Sequence, residues 1–449
     1  MANIFTQSTS PAFTKQAIDE FFVQPMFLAE DIRGAITVRT DVKGTERLNR
    51  VSRPNMMTKP KLVPGFNPVN GFNLTYSDIT VKPMTLEFEQ NGKAFWGSIL
   101  EQLLASGYKE NDVEQMKSPD IWNKIMLPLI ASAGQEDLLR QMFFANPLAE
   151  VLASGKPTGV IDENYSGYTG FISHFITDLI NGTIPSAQHV SIASATTAVK
   201  AEKILTYTAG TDTSIAVTIN GVVYSQAYAT SATATVAAWL LAHKTTIEAR
   251  SSINGVIVTN PSGAQIKVVS RYAGQDFDFT AAAVGTGTFA ASGVVAATKA
   301  GKLAANEADT TLESMMDAIT PEMHEFDLAF MMTSSMWRNL VHSFKNRDTV
   351  LGDLVLKNGM ATKSYEGIPI FVRPDWDKWI SGAHNSIQPH RAILTTQKNL
   401  LFATDGTSDS DLIETWYNQD AQMRRYRVEY KAQTAYIHKE LLVLAGFKD

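Results

Sequence analysis

The sequence predicts an α+β fold of several segments, because stretches of different periodicity follow one another along its 449 residues. Alternation of apolar and polar residues, which is typical of strands, dominates from Gly34 to Phe88. Helical spacing replaces it from Gly92 to about Ser154. From Ala198 to Ala300 the chain is rich in Ala, Thr, Ser, Gly and Val and poor in charge, and strand-like runs return near the C-terminus.

The first two segments are an arm and an extended loop. Residues 1–33 are predicted to form an N-terminal arm with a short helix, and residues 34–91 a loop of strands. Its proline-studded connection, Pro54 to Pro68, cannot be helical. A long two-stranded excursion is marginal by itself, so we expect this loop to lie on another surface.

The helical segment that follows has a clear start and a predicted break. Ser118 is suited to the N-cap and Pro119 to the first helical position. Pro128 should kink or divide the long helix. Asp162 to Ile180 predicts aromatic residues at a turn, followed by a short amphipathic helix.

The low-charge segment, residues 198–300, is predicted to be a β-rich module inserted into a host domain. Ser214 to Ser225 indicates a hairpin on an Asn220-Gly221 turn, and Ala232 to Ile247 a helix. Its size, roughly 100 residues, suits a small domain. Because the ends of a tolerated insertion lie close together, we expect the module on an outer surface.

The remaining segments alternate helices and strands. After the module we predict an acidic helix, a buried strand at Asp327 to Thr333 and a helix that begins at Ser334. From Arg391 to the C-terminus the sequence predicts strands at Arg391 to Thr395, after Lys398, before Tyr417, after Met423 and after Glu440.

Charge is unevenly distributed, although the totals of 39 Lys plus Arg and 45 Asp plus Glu nearly balance. Arg33 to Lys61 holds eight basic and two acidic residues, whereas Glu307 to Asp327 holds seven acidic and no basic ones. Opposite charges of this kind suit contacts between neighbouring subunits. Two solvated faces, or a basic loop that touches nucleic acid phosphates, are the alternatives.

Motifs for catalysis, cofactors or metals are missing from the sequence. It has no cysteine, which fits a reducing compartment, and no phosphate-binding or dinucleotide fingerprint. None of its eight histidines are paired at metal-ligand spacing on one helix. The residues from Met1 to Ser10 lack the basic start and apolar core of a signal peptide, and no apolar run approaches the roughly 20 residues that span a bilayer, so we expect a soluble protein that is not exported. We therefore predict a non-enzyme with no catalytic, cofactor or metal residues and no membrane contact.

The order of these segments resembles that of tailed-bacteriophage major capsid proteins with the Hong Kong 97-type fold. The likeness is one of layout, without a diagnostic motif. It implies a peripheral domain of residues 92–190 and 421–449 with a long spine helix, an axial domain of residues 305–420, and an inserted β-rich surface domain of residues 198–300.

The resemblance implies a major capsid protein of a tailed double-stranded DNA phage, whose hexamers and pentamers form an icosahedral shell around the genome. Expected partners are scaffold, portal and decoration proteins and the packaged DNA. The expected location is the virion, assembled in the host bacterial cytoplasm. An encapsulin-like cargo shell and a phage tail-sheath or tube subunit are the alternatives.

Under this reading several residues are candidates for subunit contacts. Trp376 and Trp379 are interpreted as a hydrophobic plug at a subunit or domain contact, or else as a platform for a sugar or nucleobase. The charged candidates are Arg39, Arg47, Arg50, Arg53 and Lys59 of the extended loop, Glu313 and Asp317 as acidic partners, and Arg424, Arg425 and Arg427 in support of hexamer-facing strands.

Overall fold

A computed structural model describes most of the chain, namely residues 36–40, 42–52, 73–90, 127–250, 255–345, 364–384, 389–396, 399–405 and 414–447. The predicted N-terminal arm, the proline-rich connection and the helix start at Ser118 lie outside the described residues. The strands are β1 (Ile36–Arg39), β2 (Thr45–Ser52), β3 (Asn73–Thr80), β4 (Lys82–Gln90), β5 (Glu150–Ala153), β6 (Lys156–Ile161), β7 (His189–Val190), β8 (Glu202–Thr208), β9 (Ser214–Ile219), β10 (Val222–Ala227), β11 (Val256–Thr259), β12 (Gln265–Ser270), β13 (Phe279–Val284), β14 (Thr288–Val295), β15 (Leu328–Thr333), β16 (Ser364–Tyr365), β17 (Ile368–Arg373), β18 (Ala392–Thr396), β19 (Leu400–Thr404), β20 (Glu414–Asn418), β21 (Met423–Tyr436) and β22 (Leu442–Ala445). The α-helices are α1 (Leu127–Phe144), α2 (Phe171–Ile180), α3 (Ala232–Ala249), α4 (Glu307–Asp317), α5 (Ser334–Lys345) and α6 (Pro374–His384).

The chain divides into two compact units. The first comprises Met1–Leu139 with Leu400–Ile437, and the second comprises Arg140–Asn399 with His438–Asp449. These boundaries differ from those of the five predicted segments. The mixed content of helices and sheets agrees with the predicted α+β class. Among the described residues, no helix is both long and apolar enough to cross a membrane.

The first unit contains a five-stranded sheet organised by the fourteen-residue strand β21. Antiparallel neighbours pair with it along its length: β4 from Arg424 to Ala432, β20 near its start and β19 near its end. Strand β1 adds in parallel to β19. Alternate residues of β21 are buried, as expected for a strand with one face on a core.

A two-stranded ribbon, β2 with β3, is the other sheet of this unit. Its antiparallel register runs without a bulge from Thr45 opposite Thr80 to Ser52 opposite Asn73. Strand β3 matches a predicted run, and β2 lies in the segment predicted to be strand-like, Gly34 to Phe88, although it was not predicted as a separate run. At the base of the ribbon a small cluster contains Val42, Ile79, Val81, Leu401 and Ala403.

The second unit is built on a six-stranded mixed sheet with the order β16-β17-β15-β18-β22-β7. Every residue of β18 and β22 is buried. Helices α4 and α5 add to the same core through Leu312 and Leu340, which pack with Phe330 of β15. Continuous burial along the central strands explains why their sequence is almost entirely apolar.

Residues 201–297, called here the β-rich region, form a second core within this unit. Its two sheets have the orders β10-β9-β13 and β11-β12-β8-β14, and α3 contacts strands of both. Trp239 of α3 is fully buried in this core and donates a hydrogen bond to the Tyr224 carbonyl at 3.1 Å. The predicted hairpin is confirmed: Asn220 and Gly221 have φ of 49° and 75° and form the β9–β10 turn.

Helix α3 agrees with the sequence, whereas the break at Pro128 stays a prediction. Helix α1 is described from Leu127 onward, and the residues before it lie outside the described part of the chain. Helix α3 matches its predicted range, and its N-cap Ser231 accepts a hydrogen bond from the Ala234 amide at 3.2 Å.

Candidate subunit-contact sites

The ribbon carries a charged pair on one face. Arg47 of β2 donates two hydrogen bonds to Asp78 of β3, from Nε to Oδ1 at 2.8 Å and from Nη2 to Oδ2 at 3.0 Å. The Arg47 guanidinium carbon also lies 4.1 Å from the centre of the Tyr76 ring. These hydrogen bonds hold the pKa of Asp78 below its usual value and raise the pKa of Arg47.

Apolar side chains on the same face of the ribbon are open to solvent. Leu74 is 64% and Tyr76 62% exposed. They stand at every second position from Asp78 along β3, so the three side chains lie on one face. Among the described residues, no third strand hydrogen-bonds to the ribbon. We call Arg47, Asn49, Leu74, Tyr76 and Asp78 the ribbon face; it combines apolar area with a fixed charge pair.

The other loop candidates are only partly described. Arg39 Nη2 lies 2.5 Å from Glu46 Oε1, and both side chains are partly exposed. Arg50 lies in β2, but its side chain is outside the described part of the structure. Arg53 and Lys59 lie outside the described residues altogether.

The arginines of β21 pair with glutamates of β4 in the same chain. Arg425 Nε lies 3.2 Å from Glu89 and Arg427 Nε lies 3.1 Å from Glu87. Sequence analysis missed both glutamates, because they are more than 330 residues away along the chain. These pairs hold β4 against β21; a role at a hexamer contact remains a prediction.

Arg424 differs from the two arginines that follow it. Its side chain is buried, and desolvation lowers its pKa. The next residue on its buried side, Tyr426, stacks on Phe88 of β4 with ring centres 4.5 Å apart. Arg424 therefore belongs to the packed side of the sheet, and Arg425 and Arg427 to its solvent side.

The acidic candidates lie on the solvent side of α4. Glu313 and Asp317 are exposed, whereas Leu312 and Met315 of the same helix are buried. Burial, followed by the nearby carboxylates of Asp309, Glu366 and Glu313, raises the pKa of Tyr365 to about 12. The helix thus presents carboxylates outward.

Trp376 and Trp379 require a correction. They are 0% and 3% exposed within one chain, so neither ring has a face left for a neighbouring subunit, a sugar or a base. Trp376 packs edge-on against Phe143, with ring centres 5.0 Å apart, and Trp379 packs against Phe144 at 6.0 Å. The platform interpretation and a plug at a subunit contact are wrong. The two tryptophans form a hydrophobic plug within one chain, which joins α6 to the end of α1.

A buried histidine and arginine at the start of β18 were also missed by the sequence analysis. His390 bonds to Ser335 Oγ through Nδ1 at 2.8 Å and to the Gly301 carbonyl through Nε2 at 3.1 Å. Arg391 is 3% exposed, and its guanidinium lies 5.3 Å from the Phe447 ring. Burial lowers the pKa of Arg391 to about 9. No sequence motif marks either residue.

Among the described residues, no three His, Cys, Asp or Glu side chains gather as a metal site requires. The candidate contact residues in the described part of the chain therefore lie in charge pairs, on the exposed ribbon or in buried packing.

Comparison with known proteins gives structural matches alone. No protein-family model matches the chain, and no curated protein matches it significantly. The satellite phage P4 procapsid, which includes the size determination protein, matches at 9% identity with a TM-score of 0.46, over 99% of this chain and 93% of that chain. A structure of Mycobacterium phage Che8 matches at 8% identity with a TM-score of 0.38, over 100% of this chain and 99% of that chain. The capsid of the native GTA particle matches at 9% identity with a TM-score of 0.38, over 93% of this chain and 90% of that chain. These matches, all with TM-scores below 0.5, cover nearly the whole chain and include structures described as phage procapsid or capsid.

Proposed function

We propose that this chain is a major capsid protein of a tailed double-stranded DNA bacteriophage, with the Hong Kong 97-type fold. Identical subunits form hexamers and pentamers, and these close into an icosahedral shell around the genome. The protein acts by geometry, without catalysis. Residues 198–300 are an inserted surface domain under this proposal.

The ribbon face is the observation that carries the proposal. A two-stranded ribbon is marginally stable in water, and Leu74 and Tyr76 leave apolar area exposed along it. A second copy of the chain is the partner that a shell of identical subunits supplies at every position. A ribbon on one copy and its receiving surface on the next make a heterologous contact, which closes into rings.

Charge supports the same arrangement. Arg39 and Arg47 lie beside the exposed part of the loop, and α4 presents Glu313 and Asp317 to solvent. We propose that the acidic helix of one subunit faces the basic loop of another. Complementary charge would set the register of neighbours more than their affinity.

Further partners follow from the same role. Scaffold, portal and decoration proteins would contact the assembled shell, and packaged DNA its inner face. Assembly would take place in the host bacterial cytoplasm, and the product would be part of the virion.

Negative-stain electron microscopy of the protein, expressed alone and together with its neighbouring genes, tests the proposal. We expect closed icosahedral shells or free hexamers. Tubes would favour a tail-sheath or tube subunit. Shells filled with a protein cargo in place of DNA would favour an encapsulin-like compartment. Monomers under every condition would contradict a shell role.

A further inference from the structure

The β5–β6 hairpin contacts the β-rich region through a buried ion pair. Glu150 of β5 accepts two hydrogen bonds from Arg250, which follows α3: Nε to Oε1 at 2.7 Å and Nη2 to Oε2 at 3.0 Å. The side chains are 4% and 17% exposed. The pair is therefore largely withdrawn from solvent, where a charge without a partner would be costly.

The remaining polar groups of this pair are also satisfied. The Gly159 amide of β6 donates to Glu150 Oε2 at 2.8 Å. Arg250 donates from Nη1 to the Ile219 carbonyl at 2.9 Å and from Nη2 to the Asn220 carbonyl at 2.8 Å. One arginine thus ties the hairpin to the β9–β10 turn. Such completeness is what makes a buried ion pair favourable.

The two backbones approach each other at glycines. A Cβ added to Gly159 would lie 2.7 Å from Arg250 Nη2, and one added to Gly221 would lie 2.6 Å from the Thr158 carbonyl oxygen. Both glycines have positive φ, of 84° and 75°. The hairpin and the turn are therefore fitted to each other in shape as well as in charge.

A second, more exposed ion pair extends the contact. Lys156 Nζ lies 2.8 Å from Asp278 Oδ1 and 3.4 Å from Asp276 Oδ2. The hydrogen bond to Asp278 raises the pKa of Lys156. Because these groups reach solvent, salt screens them more than it screens the buried pair.

The β-rich region is joined covalently to the rest of its unit by two chain segments. Residues 192–200 and 298–304, called here the stalk, run antiparallel, with bonds from the Ala195 amide to the Lys302 carbonyl at 2.8 Å and from the Val199 amide to the Thr298 carbonyl at 2.9 Å. A two-stranded ribbon is marginal by itself, and the Gly301 carbonyl of the stalk bonds to His390, so we expect further contacts to share in fixing the angle of the region.

We propose that the β5–β6 hairpin is the docking platform that sets the orientation of the β-rich region, with Glu150–Arg250 as the contact that holds it closed. The stalk tethers the region, and the hairpin orients it. This inference concerns one chain and stands whether or not the chain forms shells.

Pulsed electron spin resonance between two spin labels tests the inference on the unassembled full chain. The sequence has no cysteine, so Thr280→Cys in the β-rich region and Glu322→Cys outside it, both exposed, place labels at two defined points. We expect one narrow distance distribution in this labelled parent. Glu150→Gln keeps the shape of the side chain and removes its charge, and should broaden the distribution.

The matched control is Glu202→Gln. It removes a carboxylate that lies 2.6 Å from Lys267 inside the β-rich region, and should leave the distribution narrow. Hydrogen-exchange protection of β9 and β12 reports whether each variant is folded. A broad distribution in the parent, or one that stays narrow in folded Glu150→Gln, would overturn the proposal.

Gly221→Ala is the second variant, used if Glu150→Gln loses the protection of those strands. Its methyl group would lie 2.6 Å from the backbone carbonyl oxygen of Thr158 and removes no charge, so the hairpin and the β9–β10 turn should move apart. A broad distribution supports the platform, and a narrow one rejects it.

Discussion

The ribbon and the six-stranded sheet differ in how far their apolar side chains are buried within one chain. Strands β18 and β22 of the sheet are buried along their whole length by neighbours from their own chain. The ribbon pairs β2 with β3, yet leaves Leu74 and Tyr76 more than 60% exposed. The two strands of the sheet are covered within one molecule, whereas this apolar area of the ribbon is exposed in the described part of the chain, as expected of a surface that binds a partner.

Two arginine–carboxylate pairs repeat this contrast. Arg47–Asp78 and Arg250–Glu150 are both bidentate, with similar distances. The first is exposed and should add little to the stability of a single chain. The second is buried and hydrogen-bonded throughout, so removing one partner should be costly. Burial, more than geometry, decides what each pair contributes.

The largest effect on the unassembled chain is expected from Phe330→Ala in the sheet. Phe330 is fully buried between β15 and its helices, so the cavity should lower the free energy of unfolding by about 3–5 kcal/mol. Urea unfolding of the second unit measures it. Tyr76→Ala in the ribbon is the matched aromatic change and should leave unfolding unaltered; equal losses would erase the contrast.

Arg391→Met should raise the free energy of unfolding, in contrast to Phe330→Ala. Among the described residues, Nε and Nη1 of Arg391 have no hydrogen-bond partner, although the side chain is buried. Methionine keeps the packing on Phe447 and removes an uncompensated charge, so stability should rise by about 1 kcal/mol or more. The same urea titration gives the sign. A loss of stability would show that the guanidinium has a polar partner in the folded chain.

His390 should make stability depend on pH. The Gly301 carbonyl can only accept, so Nε2 carries the proton and Nδ1 accepts from Ser335, which is the neutral ring. Burial lowers the pKa of His390 from 6.5. Its contribution is therefore complete above pH 6.5 and is lost as pH falls through the folded-state pKa.

His390→Asn should remove this part of the pH dependence of the thermal midpoint. Scans of parent and variant between about pH 5 and 7.5 bracket the window in which histidine ordinarily titrates. Parallel profiles for the two proteins would refute the assignment.

Arg47→Glu should have the smallest effect on the single chain and a large one on assembly. The substitution sets a carboxylate beside Asp78 on an exposed ribbon, so the unfolding midpoint should stay close to that of the parent. Shells should fail to form, as sedimentation and microscopy would detect. Lys244→Glu reverses a similarly exposed charge on α3 and should assemble normally. Normal shells from Arg47→Glu would show that Arg47 takes no part in the subunit contact.

Sequence periodicity predicted elements whose signal is local. The Asn220-Gly221 hairpin, α3 and the C-terminal strands are all specified by neighbouring residues, and the structure has them where expected. Strand β2 lies in the segment predicted to be strand-like, but its own bounds were not predicted, because its apolar residues, Leu48 and Val51, do not stand at alternate positions.

Partners distant along the chain could not be predicted in the same way. The glutamates opposite Arg425 and Arg427, and the pairing of Glu150 with Arg250, arise from tertiary packing. The location of the plug formed by Trp376 and Trp379 could not be predicted for the same reason, because two tryptophans three residues apart look alike in a plug within one chain and in a plug between subunits.

Cysteine protection of the ribbon tests the central claim most directly. Asn49→Cys lies on the ribbon face and is exposed, and Ser225→Cys of the β-rich region is an exposed reference; the chain has no other cysteine. Maleimide should react with both in the unassembled chain. In assembled particles we predict protection at position 49 and continued labelling at position 225. Equal labelling of Asn49→Cys before and after assembly, or no assembly at all, would contradict a shell held together by this ribbon.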